Sequence, residues 1–194
     1  MNDFKIDGKW ARSVGGTLTY SYQIWYSMMQ RCIPGGRIQK LYKTYDGCHT
    51  SELFSDFDRF ADWLSVQPGY QLPDYDLDKD LLFDNNKLYS EDTCVLIPHA
   101  LNTFFIATRD RELPQGVSAP LSRFGTKKPF KAQLRVDGEI KYLGMFPTAE
   151  AAFSAYKVAK EAHARQWAER LAAGEFIVDP RVIDRMRVWT VPSK

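Results

Sequence analysis

Residues 76–102 read DLDKDLLFDNNKLYSEDTCVLIPHALN, so the carboxylates of Asp76, Asp78, Asp80 and Asp84 precede Tyr89, His99 and Asn102. A carboxylate and an amide oxygen brought together suit a hard cation such as Mg²⁺, which takes oxygen ligands and keeps several waters. Such a cation stabilises the leaving oxygen of a cleaved phosphodiester. His99 and Asn102 are three residues apart and would share one face of a helix. His99 and Tyr89 are the nearby groups able to move a proton, although His99 reads equally as a surface residue at a helix start. The plain structural alternative is a solvated acidic loop, in which Asp84-Asn85-Asn86 is turn chemistry.

A second constellation lies at 130–146, FKAQLRVDGEIKYLGMF. Asp137-Gly138 is the signal for a two-residue type I′ turn between two strands. Strict alternation about that turn sets Val136, Leu134, Ala132 and Phe130 opposite Glu139, Lys141, Leu143 and Met145 on one side of the sheet. The other side receives Lys131, Gln133 and Arg135 opposite Gly144, Tyr142 and Ile140. A twisted ribbon with such a face fits the DNA major groove, where Arg and Gln read base edges. Arg123, Lys127 and Lys128 add positive charge beside it for phosphate. Any half-exposed hairpin alternates in this way, and charge favours the DNA reading. From Met1 to Glu112 there are 12 Lys/Arg against 16 Asp/Glu, whereas from Leu113 to Leu171 there are 10 against 5. A basic module behind an acidic one is how a phosphate footprint appears in sequence.

Cys32, Cys48, His49 and Cys94 could together supply four zinc ligands. Their spacing lacks the paired C-x-x-C knuckles of structural zinc sites, and small buried hydrophobes are the commoner role for such cysteines. Zinc is therefore not expected.

The elements that must position these residues are legible as patterns. Tyr20, Ile24 and Met28 recur at i+4 with Trp25 and Met29 beside them, predicting a helix over 19–30 that Pro34-Gly35-Gly36 ends. Ser55 is the expected cap of a second helix carrying Phe57, Phe60, Ala61 and Leu64. A hairpin-like stretch follows from Tyr75 to Ile97, and Pro98 is suited to open a short helix through Phe105. Residues 108–112 read as a linker. A long helix is expected after Thr148, running to about Ala173 with Gly174 as its stop. A last helix would begin at Pro180 and fold back through Ile183, Met186 and Trp189.

Gly116-Val117, the KPFKAQLRV and KYLGMF strands and TAEAAFSAY together resemble the AP2 DNA-binding domain of plant transcription factors and many phage and mobile-element proteins, over roughly 113–160. The resemblance implies that the sheet reads DNA, with Gln133, Arg135 and Tyr142 at contact positions. Tyr142 stands where family members often carry Trp, and Ser118, Ser122 and Arg123 replace the arginine-rich first strand of the plant proteins. The region before it resembles the HNH (ββα-metal) nucleases, especially phage HNH proteins with AP2 modules. Tyr22-x-x-Trp25-x-x-Met28-x-x-Arg31-Cys32 and Phe57-x-x-Phe60-x-x-Trp63 extend that likeness to nearly the whole chain. It implies Asp78 and Asn102 as ligands to Mg²⁺ or Mn²⁺, Asn86 or its neighbour Asn85 as the orienting amide, and Lys79 in the place of the general-base His. A base must be largely deprotonated near neutral pH, and an ordinary Lys near ~10.4 is not.

The expected architecture is α+β. An HNH-like helix-and-hairpin lobe at 1–110 precedes an AP2-like three-stranded antiparallel sheet packed on one long helix at 113–173, and a tail at 174–194 packs back. The 194 residues, 44% hydrophobic, suffice for such cores. No run of 18 apolar residues and no charged-then-apolar leader occurs, so neither membrane insertion nor secretion is expected. Three widely spaced cysteines suit a reducing cytoplasm. The expected function is sequence-preferring double-stranded DNA binding coupled to metal-dependent cleavage, homing-endonuclease-like. The rivals are a DNA-binding protein without catalysis and a counter-defence protein that binds a host protein, with 12 Asp/Glu between Asp46 and Asp92 mimicking a phosphate backbone.

Overall fold

A computed structural model describes residues 3–105, 112–120 and 125–192. The architecture is mixed α+β, with small sheets and several helices. The chain divides into two compact units, 1–99 with 176–182, and 100–175 with 183–194. Among the described residues no helix is long and apolar enough to cross a membrane.

The first unit opens with two small hairpins, β1 (Lys5–Ile6) with β2 (Lys9–Trp10) and β3 (Ser13–Val14) with β4 (Thr17–Leu18). Helix α1 (Tyr20–Cys32) follows the predicted apolar stripe and stops before Pro34. Next come α2 (Arg37–Leu41), a 3₁₀ turn at Lys43–Tyr45, β5 (His49–Thr50), α3 (Glu52–Ser55) and α4 (Phe57–Ser65). Asp56, not Ser55, caps α4 by accepting from the Arg59 N–H at 2.9 Å. Ser55 instead ends α3 and donates its hydroxyl to the Glu52 carbonyl. Both helices set their rings inward, and Met28, Phe54, Phe60, Leu64, Leu77, Tyr89, Cys94 and Leu96 form one buried cluster.

Strand β6 (Tyr75–Asp78) pairs antiparallel with β8 (Val95–Pro98), Asp76 opposite Ile97 and Asp78 opposite Val95. The intervening β7 (Leu88–Tyr89) leaves this hairpin and pairs in parallel with β5. Pro98 closes β8 and does not open the next helix; α5 (His99–Phe104) begins one residue later. The His99 amide donates to the Asp74 carbonyl at 2.7 Å. From the tail, residues 176–182 complete this unit: the Ile177 amide donates to the Tyr75 hydroxyl, and Arg181 reaches the Asp92 carbonyl.

The second unit is a three-stranded antiparallel sheet on one long helix. Its strand order is β11 (Glu139–Phe146), β10 (Phe130–Val136), β9 (Val117–Ser118). Helix α6 (Ala149–Ala172) starts where Thr148 accepts from the Ala151 amide and ends before Gly174 at φ +79°. Val117, Ala132 and Ala152 form one buried cluster with Phe130, Leu143 and Phe146 against it. Leu134, Tyr156 and Val191 form a second. Most of the linker expected at 108–112 falls outside the described residues. Helix α7 (Pro180–Val188) begins at the expected proline, with Val182 and Met186 buried.

The hairpin register differs from strict alternation. From the turn it runs as expected, with Val136 opposite Glu139, Arg135 opposite Ile140 and Gln133 opposite Tyr142. A bulge then intervenes, so Ala132 faces Gly144 and not Leu143, Lys131 faces Met145, and Phe130 faces Phe146 and not Met145. One extra residue on β11 shifts every later side chain to the opposite phase. Gly144 supplies the φ of +131° that the bulge requires. The gain is packing: Phe146 joins Phe130 on the helix side.

Candidate functional site

The acidic stretch is held together by two residues. Asn86 donates from Nδ2 to the Lys79 carbonyl at 2.8 Å and the Leu88 carbonyl at 2.6 Å, and accepts from the Leu88 amide at 3.0 Å. Lys79, only 3% exposed, returns the contact: its Nζ donates to the Asn86 carbonyl at 2.7 Å and to Asp80 at 2.6 Å. Its Nζ also lies 5.6 Å from the centre of the Tyr89 ring. An ammonium spending its protons on a buried carbonyl and a carboxylate is a loop clasp. It presents no lone pair, so this geometry does not make Lys79 a base.

Asp78 turns its Oδ1 to the amides of Asp80 (2.9 Å) and Leu81 (2.7 Å), an Asx-type turn that stops β6. Desolvation outweighs these two bonds and pushes its carboxyl up to about 6. His99, at the start of α5, holds Asp76 through Nδ1 at 2.7 Å, and the pair is solvent-accessible. Asp76 is thus the carboxylate that meets a histidine, which no motif singled out. The antiparallel register of β6 and β8 carried the signal, since it sets Asp76 beside the strand end that His99 follows.

Asn102 lies on α5, counted with the second unit, whereas Asp78 belongs to the first. Among the described residues no group of three or more His, Cys, Asp or Glu gathers as a metal site would need. One Asp78 oxygen accepts from two amides, and Lys79 is clasped beside it. The zinc candidates are the three cysteines and His49. Burial pushes the Cys32 thiol up to about 11, the Cys94 thiol up to about 12, and Cys48 in the same direction. His49 is engaged with the Gly47 carbonyl.

The hairpin carries its polar row where expected. Arg135 and its partner Ile140 are exposed, the latter 57%, and Tyr142 is 63% exposed opposite a half-buried Gln133. Arg135 donates from Nη1 to the Gly138 carbonyl at 2.8 Å, holding the guanidinium along the turn. Lys131 is half-buried between Met145 and Ser118 on the flanking strands. Lys127 and Lys128 are exposed just before β10, and Arg123 lies outside the described residues. Cation, amide, phenol and methyl groups therefore share one outward surface, while Ala132 and Leu134 face the helix.

Comparison with family models, with characterised proteins and with solved structures returned no match to this chain.

Proposed function

We propose that this protein binds double-stranded DNA through the outward face of β10 and β11, and that its first unit serves as a non-catalytic platform. The observation that carries the reading is the outward row of exposed Arg135, Tyr142 and Ile140 with half-buried Gln133 on the β10–β11 ribbon. Arg pairs with the O6 and N7 of guanine, Gln with adenine, and an aliphatic side chain meets the thymine methyl. The excess of Lys/Arg over 113–171 supplies phosphate attraction. The resemblance to AP2 domains points the same way, and to a phage or mobile-element protein acting in a bacterial cytoplasm.

The test is fluorescence anisotropy on duplexes selected from a random library. Arg135→Ala with Gln133→Ala is expected to flatten sequence preference, each good contact being worth about 1–3 kcal/mol. Lys131→Ala is expected to weaken all duplexes alike and reduce the salt slope by about 1. Preference that survives loss of both Arg135 and Gln133 side chains refutes the sheet-face assignment.

A second reading, metal-dependent cleavage of the HNH kind, draws support from the exposed Asp76–His99 pair. A carboxylate that orients an imidazole through Nδ1 leaves the other ring nitrogen free to take a proton from water. Supercoiled DNA incubated with Mg²⁺ or Mn²⁺ beside EDTA separates the readings. Metal-dependent nicking that is lost in His99→Ala establishes the enzyme; intact DNA under conditions of demonstrated binding establishes the platform. A host-protein partner, the remaining reading, predicts no duplex affinity at all.

A further inference from the structure

A groove of about 550 Å³ lies along α6 within the second unit, and one of its edges is formed by Gln133, Arg135 and Ile140 of the sheet's polar row. Tyr156, Lys160, His163 and Trp167 recur at helical spacing and line it, with Phe104 of α5 facing them. Lys160 is only 6% exposed. Its Nζ donates to the Phe104 carbonyl at 2.5 Å and sits 3.5 Å from the centre of that ring. No ion pair to Lys160 occurs among the described residues, and burial alone pulls it down to about 8. His163 is 7% exposed, and its buried Nδ1 has no hydrogen-bond partner among the described residues. Burial lowers its pKa as well, with Lys160, Lys141 and Arg170 adding to the effect and Asp137 opposing it. The carboxylate lining the groove, Asp137, lies 3.9 Å from Arg170.

A buried ammonium satisfied by one carbonyl, beside a buried imidazole nitrogen satisfied by nothing, is costly unless a further group completes them. The rings of Phe104, Tyr156 and Trp167 offer apolar walls, and the volume is that of a small-molecule site. We propose that this groove binds a small planar ring carrying one anionic group, of the size and chemistry of a nucleoside monophosphate, with Lys160 as the counter-charge. The anion pairs with the Lys160 ammonium, and the ring lies among the aromatic walls. The groove shares Gln133, Arg135 and Ile140 with the proposed DNA face, but the proposal rests on Lys160 and His163 and not on the DNA reading, and no DNA enters its test.

The full chain is titrated with adenosine 5′-monophosphate, adenosine and inorganic phosphate by isothermal calorimetry at pH 8, in two buffers of different protonation enthalpy. Saturable nucleotide binding with Kd below about 1 mM is expected, accompanied by net proton uptake as the anion restores the charge on Lys160. Adenosine and phosphate are each expected to bind at least about tenfold more weakly. Lys160→Met is expected to lose binding about tenfold or more while melting no lower than the parent. Thr103→Trp, at an exposed lining position, fills the groove from its rim and is expected to do the same without touching the core. Absence of saturable nucleotide binding overturns the proposal. So do equal affinity in both variants, and phosphate or adenosine binding as tightly as the nucleotide.

Discussion

Burial acts on Asp78 and Lys160 in opposite directions, and each shift has a measurable sign. In the folded chain Asp78 titrates at about 6, above its ordinary 3.8, so between these values the fold binds more protons than the unfolded chain. Stability attributable to this group is full below about pH 4 and is lost as pH rises through 6. Asp78→Asn keeps the oxygen that accepts from Asp80 and Leu81, and is expected to gain about 1–3 kcal/mol at pH 7 while flattening the slope between pH 4 and 6. Urea midpoints across that range check it; a loss of stability in the Asn variant would mean the charge itself is needed. Lys160 titrates at about 8 in the fold against 10.5. Its cost is therefore full below pH 8 and gone above 10.5, and Lys160→Met is expected to stabilise by about 1–3 kcal/mol at pH 7, with the gain vanishing toward pH 11. At this scale sequence was partly legible. Asp78, Lys79 and Asn86 were drawn together by motif, and the structure does join them, but as a clasp whose hydrogen bonds no spacing reveals. Lys160 and His163 carry no signal in sequence, because a cation at helical spacing reads as a solvated face until burial is known.

Turns and strand ends set the precision of each element. Gly116 precedes β9 with φ +75°, and a Cβ there would lie 2.0 Å from the Tyr156 ring. Gly116→Ala combines a strained backbone with a steric clash and is expected to cost about 2–4 kcal/mol. Hydrogen exchange should then show the amides of Val117 and of Gln133, which donates to the Gly116 carbonyl at 2.9 Å, unprotected while α6 stays slow. Asn86→Ala removes three hydrogen bonds at once and is expected to lose about 2–3 kcal/mol in denaturant unfolding. Helices α1 and α6 were legible to within a few residues because their apolar period and stop signals agree. The α4 cap lies one residue beyond the one the sequence suggests, since Ser55 and Asp56 are both good caps and only the preceding helix decides between them. The β11 bulge was invisible for a related reason: alternation about Asp137-Gly138 is satisfactory in either phase until Phe146 must be buried.

Across the whole molecule the chain does not divide where its motifs do. Residues 176–182 belong with the first unit and 183–194 with the second. Val191 completes the cluster with Leu134 and Tyr156, and its amide donates to Glu161 at 3.1 Å. Tyr75 and Asp92 receive Ile177 and Arg181 in the first unit. Truncation after Gly174 is therefore expected to destabilise both units, by about 2 kcal/mol or more in each. Limited proteolysis would reveal this as accelerated cleavage in both; if 113–173 alone resisted protease like the full chain, the tail would be dispensable. The α+β class is legible in periodicity and turn signals, but the burial of Val182 in the first unit and of Met186 and Val191 in the second is not specified by a short amphipathic pattern.

The bulge in β11 also sets how much sequence such a protein could read. Beyond it the row facing outward changes from Gln133–Tyr142 to Lys131–Met145, leaving two pairs near the turn to meet base edges. Gln133 and Arg135 stand about 7 Å apart along their strand, about two base-pair steps on a duplex. With four distinguishable pairs per step, a two- or three-letter word recurs roughly every 16 to 64 base pairs. One copy bound in this way would be seldom far from a fitting site, and its distribution along a chromosome would resemble a coating more than an address.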